Sequence, residues 1–207
     1  MSFGTFIASQ LRKPSGWFGK HVVARILNRG NAPMNALTAE LLELAPDDRV
    51  LEVGFGGGDL IQRVAPVVTE GRVVGVDFSP AMTALCAKRF ARFVRAGRVE
   101  LRCAGVDELP YPPGAFTKAC TVNTIYFWPN PLASLAELWR TLRDGGRLVV
   151  AFNPRETAAK LPYTRHGFRL YEPAQVGELL TRAGFRDVRL VPGTSKLGPF
   201  LCAVGTR

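Results

Sequence analysis

Short apolar runs alternate with longer amphipathic stretches along the chain from about residue 48 to its end. The runs are rich in valine and leucine and are bounded by glycine, proline or charged residues, which predicts β-strands. The stretches between them repeat their apolar positions at helical spacing, and this alternation predicts a parallel sheet with helices on both faces. The five strands predicted first along the chain are 50–53, 73–76, 99–103, 118–122 and 147–152.

Caps and turn residues place the helices between and around these strands. The predicted helices are 34–44, 58–68, 80–95, 130–142 and 173–183. Two clusters of turn residues, at 14–16 and at 30–33, predict breaks around a short helix near the N-terminus. Beyond the last helix, the apolar runs 185–190 and 200–204 predict an antiparallel pair of strands.

The organisation of the chain is that of one domain, since no repeat, low-complexity tract or linker interrupts the pattern. We expect a single domain over 1–207. It would comprise a helical cap (1–45), a ligand-binding core (48–152) and a C-terminal part (153–207) with an insertion, the last helix and the strand pair.

Composition narrows the class of protein. Hydrophobic residues make up 47% and charged residues 21%, which is ordinary for a globular domain. No apolar run approaches the roughly 20 residues that a membrane span needs, and the N-terminus lacks the apolar core of a secretory signal, so we expect a soluble, cytoplasmic protein. The four cysteines have no C-x-x-C spacing and the two histidines lie far from them in sequence, which predicts buried thiols and no metal site.

The net charge of +10 predicts attraction to anions. No acidic residue occurs before Glu40, and His21, Arg25 and Arg29 are spaced to form one stripe on a helix. Three interpretations of this segment stay open. It is a packed helix with a solvated basic edge, a lid over a substrate site, or a helix that makes peripheral contact with an anionic membrane.

The most informative motif is a glycine-rich turn between two predicted strands. The first strand is followed by Gly54, Gly56 and Gly58, and the second strand ends in Asp77. Such a unit brings backbone close to a ligand, and the second acid can bind ribose hydroxyls. The dinucleotide pattern G-x-G-x-x-G would need a further glycine where Asp59 stands, which disfavours a nicotinamide dehydrogenase.

The pattern Glu-x-Gly-x-Gly-x-Gly, starting at Glu52, resembles the first motif of the class I S-adenosylmethionine (SAM)-dependent methyltransferases. The segments 109–111, 142–150 and 183–185 are similar to later motifs of the family's small-molecule, quinone-biosynthesis-like branch, and they follow in the family's order. The resemblance implies a doubly wound, mostly parallel, seven-stranded Rossmann-like sheet with an N-terminal helical extension. It also implies SAM as cofactor and S-adenosylhomocysteine as product.

The resemblance further implies a set of cofactor-binding residues. Glu52 would approach the cofactor's ammonium, Asp77 would accept both ribose hydroxyls, and Phe78 and Met82 would pack against the adenine. Gly105 stands where the family's loop often carries an acid, so the backbone of Val106 or the side chain of Asp107 would meet the adenine amino group. The complete predicted set is Glu52, Gly54, Phe55, Gly56, Gly58, Asp77, Phe78, Met82, Val106, Asp107 and Asn123.

The acceptor side is predicted at the end of the fourth strand. Asn123 and Tyr126 have the spacing of an N-P-P-Y motif, which is typical of methyltransferases acting on amino groups of nucleic acids and proteins, but both prolines are missing. We therefore expect Asn123 to contact the cofactor and Tyr126 to form a wall of the active site. Histidine is suited to removing an acceptor proton near neutral pH, which makes His21 and His166 candidate catalytic residues together with Tyr126.

These observations predict methyl transfer from SAM to a small, anionic or amphipathic acceptor. The alternatives are an RNA-modifying methyltransferase, which the charge favours, and a lipid-headgroup methyltransferase. A chain of 207 residues leaves little room for a nucleic-acid recognition domain, which makes nucleic acid the less favoured partner. A partner subunit that has the fold but no catalysis is the non-enzymatic alternative.

Overall fold

The computed structural model of the protein describes residues 5, 8, 9 and 24–207, with the side chains of 24–28 left out. The first part of the predicted short N-terminal helix, up to residue 23, therefore lies outside the described residues, as does the candidate catalytic His21. Of its basic stripe only the exposed Arg29 can be placed.

A seven-stranded sheet forms the centre of the molecule, with the strand order β3-β2-β1-β4-β5-β7-β6. Strands β1 to β5 run parallel, while β7 pairs antiparallel with both β5 and β6. This confirms the predicted doubly wound, mostly parallel sheet. The strands are β1 Arg49–Val53, β2 Arg72–Asp77, β3 Val99–Cys103, β4 Phe116–Val122, β5 Leu142–Phe152, β6 Arg186–Ser195 and β7 Gly198–Thr206.

Helices cover both faces of this sheet. The described helices are α1 Ala24–Leu41, α2 Asp59–Val64, α3 Pro80–Arg89, α4 Ala91–Arg95, α5 Pro131–Thr141, α6 Arg155–Ala158 and α7 Pro173–Arg182. Short 3-10 turns lie at Ile125–Phe127 and Pro162–Arg165. Two starts agree with the predicted caps: Ser79 accepts from the N–H of Met82 before α3, and Asn130 accepts from the N–H of Ala133 before α5.

The strands alternate their side chains between two apolar layers, as the pleat requires. Val50 packs in the layer under α1, α2 and α3, and its neighbour Leu51 packs in the layer under α5 and α7. Both side chains are fully buried. Three cysteines are buried as predicted, but Cys103 is exposed because it ends the edge strand β3.

The predicted break at 30–33 is wrong, because α1 runs without interruption from residue 24 to 41 with Pro33 inside it. Proline removes one backbone hydrogen bond from a helix interior. Here Met34 and Thr38 on the following turn are buried, so packing on the sheet outweighs the local preference for a break.

The predicted helix 80–95 is divided at Phe90, whose backbone leaves the helical region between α3 and α4. Its ring is buried next to Gly58, so the break fills the space under the glycine-rich turn. Residues 142–146, which precede the predicted strand 147–152, are also part of β5, and the register with β4 shifts between Phe116 and Lys118.

The described part of the chain contains no helix that is both long and apolar enough to cross a membrane. It also contains no group of three or more histidine, cysteine or acidic side chains that could hold a metal ion.

Candidate active site

A pocket of about 260 Å³ opens at the carboxyl ends of β1, β2 and β4. Its walls are the glycine-rich turn after β1, the end of β2, the loop after β3, the residues that follow β4, and one face of α1. The connections from β1 and β4 leave the sheet in opposite directions, and ligands of such sheets bind in the crevice between strands of this kind.

The three glycines of the turn are required for different reasons. A Cβ on Gly54 would overlap the side chain of Thr124, and a Cβ on Gly58 would overlap the ring of Phe90. A Cβ on Gly56 would meet nothing within 4 Å, although Gly56 lines the pocket and has a φ of +48°. Gly54 and Gly58 therefore allow close packing, while Gly56 keeps space free beside the pocket.

Asp77 connects the end of β2 to this turn. Its Oδ2 accepts a 2.9 Å hydrogen bond from the N–H of Gly56, and its Oδ1 accepts a 2.8 Å bond from the N–H of Ser79. The side chain lines the pocket but is only 6% exposed, and burial raises the pKa of Asp77. Each carboxylate oxygen has a second acceptor site, so the group can still accept from two hydroxyls of a ligand.

Glu52 is the most unusual acid in the pocket. It is 4% exposed, and its Oε2 is buried without a hydrogen-bond partner among the described residues. Burial, together with the nearby carboxylates of Asp77 and Asp59, raises the pKa of Glu52 to about 8, against the opposing effect of a hydrogen bond from the backbone of Ile61. An acid left in this state is costly, which makes the position suited to a cation or a strong donor.

The loop after β3 forms the opposite wall with Gly105, Val106 and Asp107. Val106 is buried, whereas Asp107 is exposed and its Oδ1 accepts a 2.5 Å hydrogen bond from the hydroxyl of Ser134 on α5. Ser134 therefore fixes the orientation of the carboxylate that the sequence placed near the adenine.

Asn123 follows β4 with a left-handed φ of +57°, which is uncommon for a residue other than glycine. Its Oδ1 accepts from the hydroxyl of Tyr126 at 3.0 Å and from Nδ2 of Asn153 at 3.3 Å. Its Nδ2 donates to Oδ1 of Asn31 at 2.9 Å, next to the sulfur of Met34. Strained residues of this kind persist where the surroundings hold them, and they concentrate at functional sites.

The sequence did not single out Asn31 and Asn35, which contribute the face of α1 that lines the pocket. Nδ2 of Asn35 donates a 2.9 Å hydrogen bond to Asp59 at the start of α2. Two asparagines spaced i, i+4 among apolar positions are a helix-face signal, but the predicted break at 30–33 hid it. Phe127 and Trp128 also line the pocket without having been assigned a role.

Nine of the predicted cofactor residues line the pocket, and two do not. Those that do are Glu52, Gly54, Phe55, Gly56, Asp77, Phe78, Val106, Asp107 and Asn123. Met82 is fully buried on the inward face of α3, in the layer that also contains Phe55. Gly58 lies under the turn, against Phe90.

Tyr126 and His166, two of the predicted catalytic residues, are also absent from the described pocket lining. Tyr126 is buried behind Asn123, where its hydroxyl accepts a 2.5 Å hydrogen bond from the N–H of Asn153 and burial raises the pKa of the phenol. Tyr126 is therefore not an exposed wall. His166 is exposed at the end of the 3-10 turn Pro162–Arg165 and does not reach the pocket.

Comparison with known proteins agrees with this geometry. Residues 50–146 match the model of a methyltransferase domain. An uncharacterized methyltransferase of Bacillus subtilis is 28% identical over 167 residues, which cover 81% of this chain and 87% of the relative. A SAM-dependent methyltransferase structure from Aquifex aeolicus has a TM-score of 0.70 at 20% identity, with 100% of both chains covered.

These matches support a class I SAM-dependent methyltransferase. A demethylmenaquinone methyltransferase of Thermus thermophilus is 35% identical to this methyltransferase over 111 residues, or 53% of this chain. The match spans about half of that relative, 48% of its length.

The pocket of the methyltransferase suits the cofactor of its family. SAM carries an ammonium, a ribose diol and an adenine, and when bound it supplies a methyl group activated on a sulfonium. The orphaned Oε2 of Glu52 is an acceptor for a cation, and Asp77 offers two acceptors for a diol. The open space at Gly56 leaves room for a ligand beside the backbone.

Proposed function

We propose that this methyltransferase transfers the methyl group of SAM to a small, anionic or amphipathic acceptor. Methyl transfer is an in-line displacement, so the protein contributes mainly by positioning donor and acceptor and by excluding water. The cofactor itself carries the reactive group. The residues that matter are then those that fix the two ligands relative to each other.

On the cofactor side, the proposal assigns Glu52 to the ammonium, Asp77 to the ribose hydroxyls, and Val106 and Asp107 to the adenine amino group. Phe78 is 39% exposed at the pocket and offers an apolar surface for the adenine ring. The hydrogen bonds from Gly56 and Ser79 hold the Asp77 carboxylate in place before any ligand binds. Such preorganisation lowers the ordering cost of binding.

On the acceptor side, the proposal is carried by an aromatic wall that continues from the pocket. Phe127 lines the pocket and packs edge-on against Phe168, with ring centroids 4.5 Å apart. Phe168 also contacts Tyr163 at 5.9 Å. The segment after β5 therefore extends the apolar lining of the pocket outward, which suits a flat or amphipathic acceptor.

Cationic side chains accompany this wall. Arg165 and Arg169 are exposed, and neither forms an ion pair with a carboxylate in the part of the chain that the structure describes. The N–H of Arg169 donates to the carbonyl of Tyr126 at 3.1 Å, which ties this segment to the end of β4. Guanidinium groups suit carboxylates and phosphates. One of the relatives is named a demethylmenaquinone methyltransferase.

Pairs of acceptors that share a ring but differ in charge or in an alkyl tail test this proposal. Transfer of labelled methyl from SAM would be measured on hydroxybenzoates against the corresponding phenols, and on hydroquinones with and without an alkyl tail. We expect the charged or tailed member of a pair to be methylated faster. Transfer only to RNA, or only to lipids in anionic vesicles, would contradict the proposal and support one of the alternatives.

Variants of the aromatic wall give a second measurement. Phe168→Ala, or Arg165→Ala together with Arg169→Ala, should raise the KM for the acceptor while the affinity for S-adenosylhomocysteine stays unchanged. Arg182→Ala is the matched control, because Arg182 is exposed at the end of α7 and does not line the pocket. A KM that does not respond to either wall variant would remove this segment from the acceptor site.

A further inference from the structure

We propose that Asn31 and Asn35 on α1 recognise the amino-acid end of SAM, with Asn31 donating to its carboxylate and Asn35 accepting from its ammonium. The inference rests on the proposed placement of the cofactor in the pocket, and it adds a helix that precedes the matched methyltransferase domain at residues 50–146. It assigns α1 to cofactor specificity instead of to the acceptor alone.

The first step is the position of the two side chains. Asn31 and Asn35 are one helical turn apart on α1, and both line the pocket that Glu52 and Asp77 also line. Side chains at this spacing are neighbours on a helix surface. Asn35 is buried and Asn31 is partly buried, so both face the interior of the site and not bulk solvent.

The second step is the orientation of each amide, which one partner fixes. Oδ1 of Asn31 accepts from Nδ2 of Asn123 at 2.9 Å. Nδ2 of Asn35 donates to Oδ2 of Asp59 at 2.9 Å, and the same oxygen accepts from Arg63 at 2.9 Å. Asn31 is thus tied to the end of β4, and Asn35 to the start of α2.

One polar atom of each amide has no hydrogen-bond partner among the described residues. Nδ2 of Asn31 donates no hydrogen bond to any described residue, and Oδ1 of Asn35 accepts none from them. Toward the described residues the helix therefore presents an unused donor and an unused acceptor, on two side chains whose Cβ atoms are about 5–6 Å apart at this spacing. Oε2 of Glu52 is a second unused acceptor in the same pocket.

This arrangement matches the charges of an amino acid. An α-ammonium donates and an α-carboxylate accepts, and the two groups are separated by a single carbon. The carboxylate would enter a pocket that already contains Glu52, Asp59 and Asp77, and no lysine, arginine or histidine occurs among its described lining residues. A neutral amide donor is therefore the means by which α1 can hold the carboxylate without adding charge.

Two ligands that differ only at the amino-acid end separate this role from general support of the fold. S-adenosylhomocysteine has the amino acid, whereas 5′-methylthioadenosine keeps the adenosine and the thioether but lacks it. Calorimetry on the full chain would give the affinity for both. We expect Asn31→Ala and Asn35→Ala each to weaken S-adenosylhomocysteine about tenfold, as for one lost hydrogen bond to a charged group, and to leave methylthioadenosine within about twofold.

The controls make each outcome decisive. Glu40→Ala changes an exposed residue of the same helix and should affect neither ligand. Asn31→Asp places a carboxylate opposite the ligand's carboxylate, so it should weaken S-adenosylhomocysteine more than Asn31→Ala does, and it serves as the second variant if an alanine variant fails to fold. Unchanged affinity for S-adenosylhomocysteine, or equal loss for both ligands, would overturn the role of α1.

The affinities of one further variant show whether the pocket binds the cofactor at all. Asp77→Asn should weaken both ligands, because both contain the ribose. If Asp77→Asn leaves both affinities unchanged, the assignment of the cofactor pocket is wrong. If Asp77→Asn weakens both and the asparagine variants weaken neither, only the role of Asn31 and Asn35 is wrong.

Discussion

The N–H of Gly56 donates a 2.9 Å hydrogen bond to Oδ2 of Asp77 and so joins the turn after β1 to the end of β2, 21 positions later in the chain. The acid assigned to the ribose therefore also holds the backbone beside which the cofactor has to lie. Binding and the shape of the turn depend on the same carboxylate. The second oxygen is held in the same way by Ser79.

Asp77→Asn is expected to weaken S-adenosylhomocysteine by about 3 kcal/mol, on the order of 100-fold, because an amide has one acceptor oxygen where the carboxylate has two and carries no charge. Isothermal titration calorimetry measures the affinity, and thermal denaturation checks that the variant is folded. A folded variant that binds like the wild type would show that Asp77 does not hold the ribose.

Glu52→Gln should separate stability from binding. Burial raises the pKa of Glu52 to about 8, whereas the ordinary value is 4.5. The folded state therefore binds the proton more tightly than the unfolded state does. Ionisation of Glu52 costs no folding free energy below about pH 4.5, costs more as the pH rises toward about 8, and has its full cost above that value.

Replacement by glutamine removes this cost. The variant should melt close to the wild type at about pH 5, and at about pH 8 it should be more stable by up to a few kcal/mol. Its affinity for S-adenosylhomocysteine should fall, because the acceptor for the ammonium is no longer charged. Thermal melts at both pH values and calorimetry test the two halves, and a stability difference that shrinks with rising pH would contradict the assignment.

Tyr126 is expected to position Asn123 and not to move a proton. Tyr126→Phe removes the donor to Asn123 and leaves the buried N–H of Asn153 without its acceptor, which should cost about 1–3 kcal/mol of stability. Burial raises the pKa of the phenol, so a phenolate base is disfavoured near neutral pH. The pH profile of methyl transfer should therefore keep its shape in the variant.

His166 provides the comparison for this prediction. His166→Ala should leave kcat within about twofold, because the histidine is exposed and lies outside the pocket lining. A pH profile that loses one limb in either variant would restore that residue as the general base.

Local signals were sufficient to predict most of the sheet and the starts of two helices. Valine-rich runs marked the five parallel strands, and Ser79 and Asn130 capped helices that begin with proline, as expected. The course of α1 could not be predicted in this way. Its continuation through Pro33 depends on the burial of Met34 and Thr38 against distant parts of the chain.

The residues of the candidate site also divide into those that local sequence signals mark and those that only long-range packing brings to the pocket. Glu52, Gly56 and Asp77 carry a sequence pattern, and the structure brings them to one pocket. Met82 was assigned to the pocket from the family resemblance and Tyr126 from the spacing of a motif, but neither decides which face of an element turns inward. Asn31 enters the pocket only because α1 packs across the end of β4, a contact between residues 92 positions apart.

We expect the pocket beside the glycine-rich turn to bind the cofactor. Gly56 and Gly97 give a matched pair to test it, because both have a positive φ and a Cβ at either would meet nothing within 4 Å. Gly56 lines the pocket, whereas Gly97 lies in the exposed turn before β3. Replacement by alanine should therefore introduce similar backbone strain at both positions, on the order of 1 kcal/mol.

The decisive measurement is calorimetric titration of S-adenosylhomocysteine into the wild type, Gly56→Ala and Gly97→Ala. Binding should be retained in Gly97→Ala and reduced at least about tenfold in Gly56→Ala, with similar losses of thermal stability in the two variants. Equal affinities in all three proteins, or no binding to the wild type, would contradict the account.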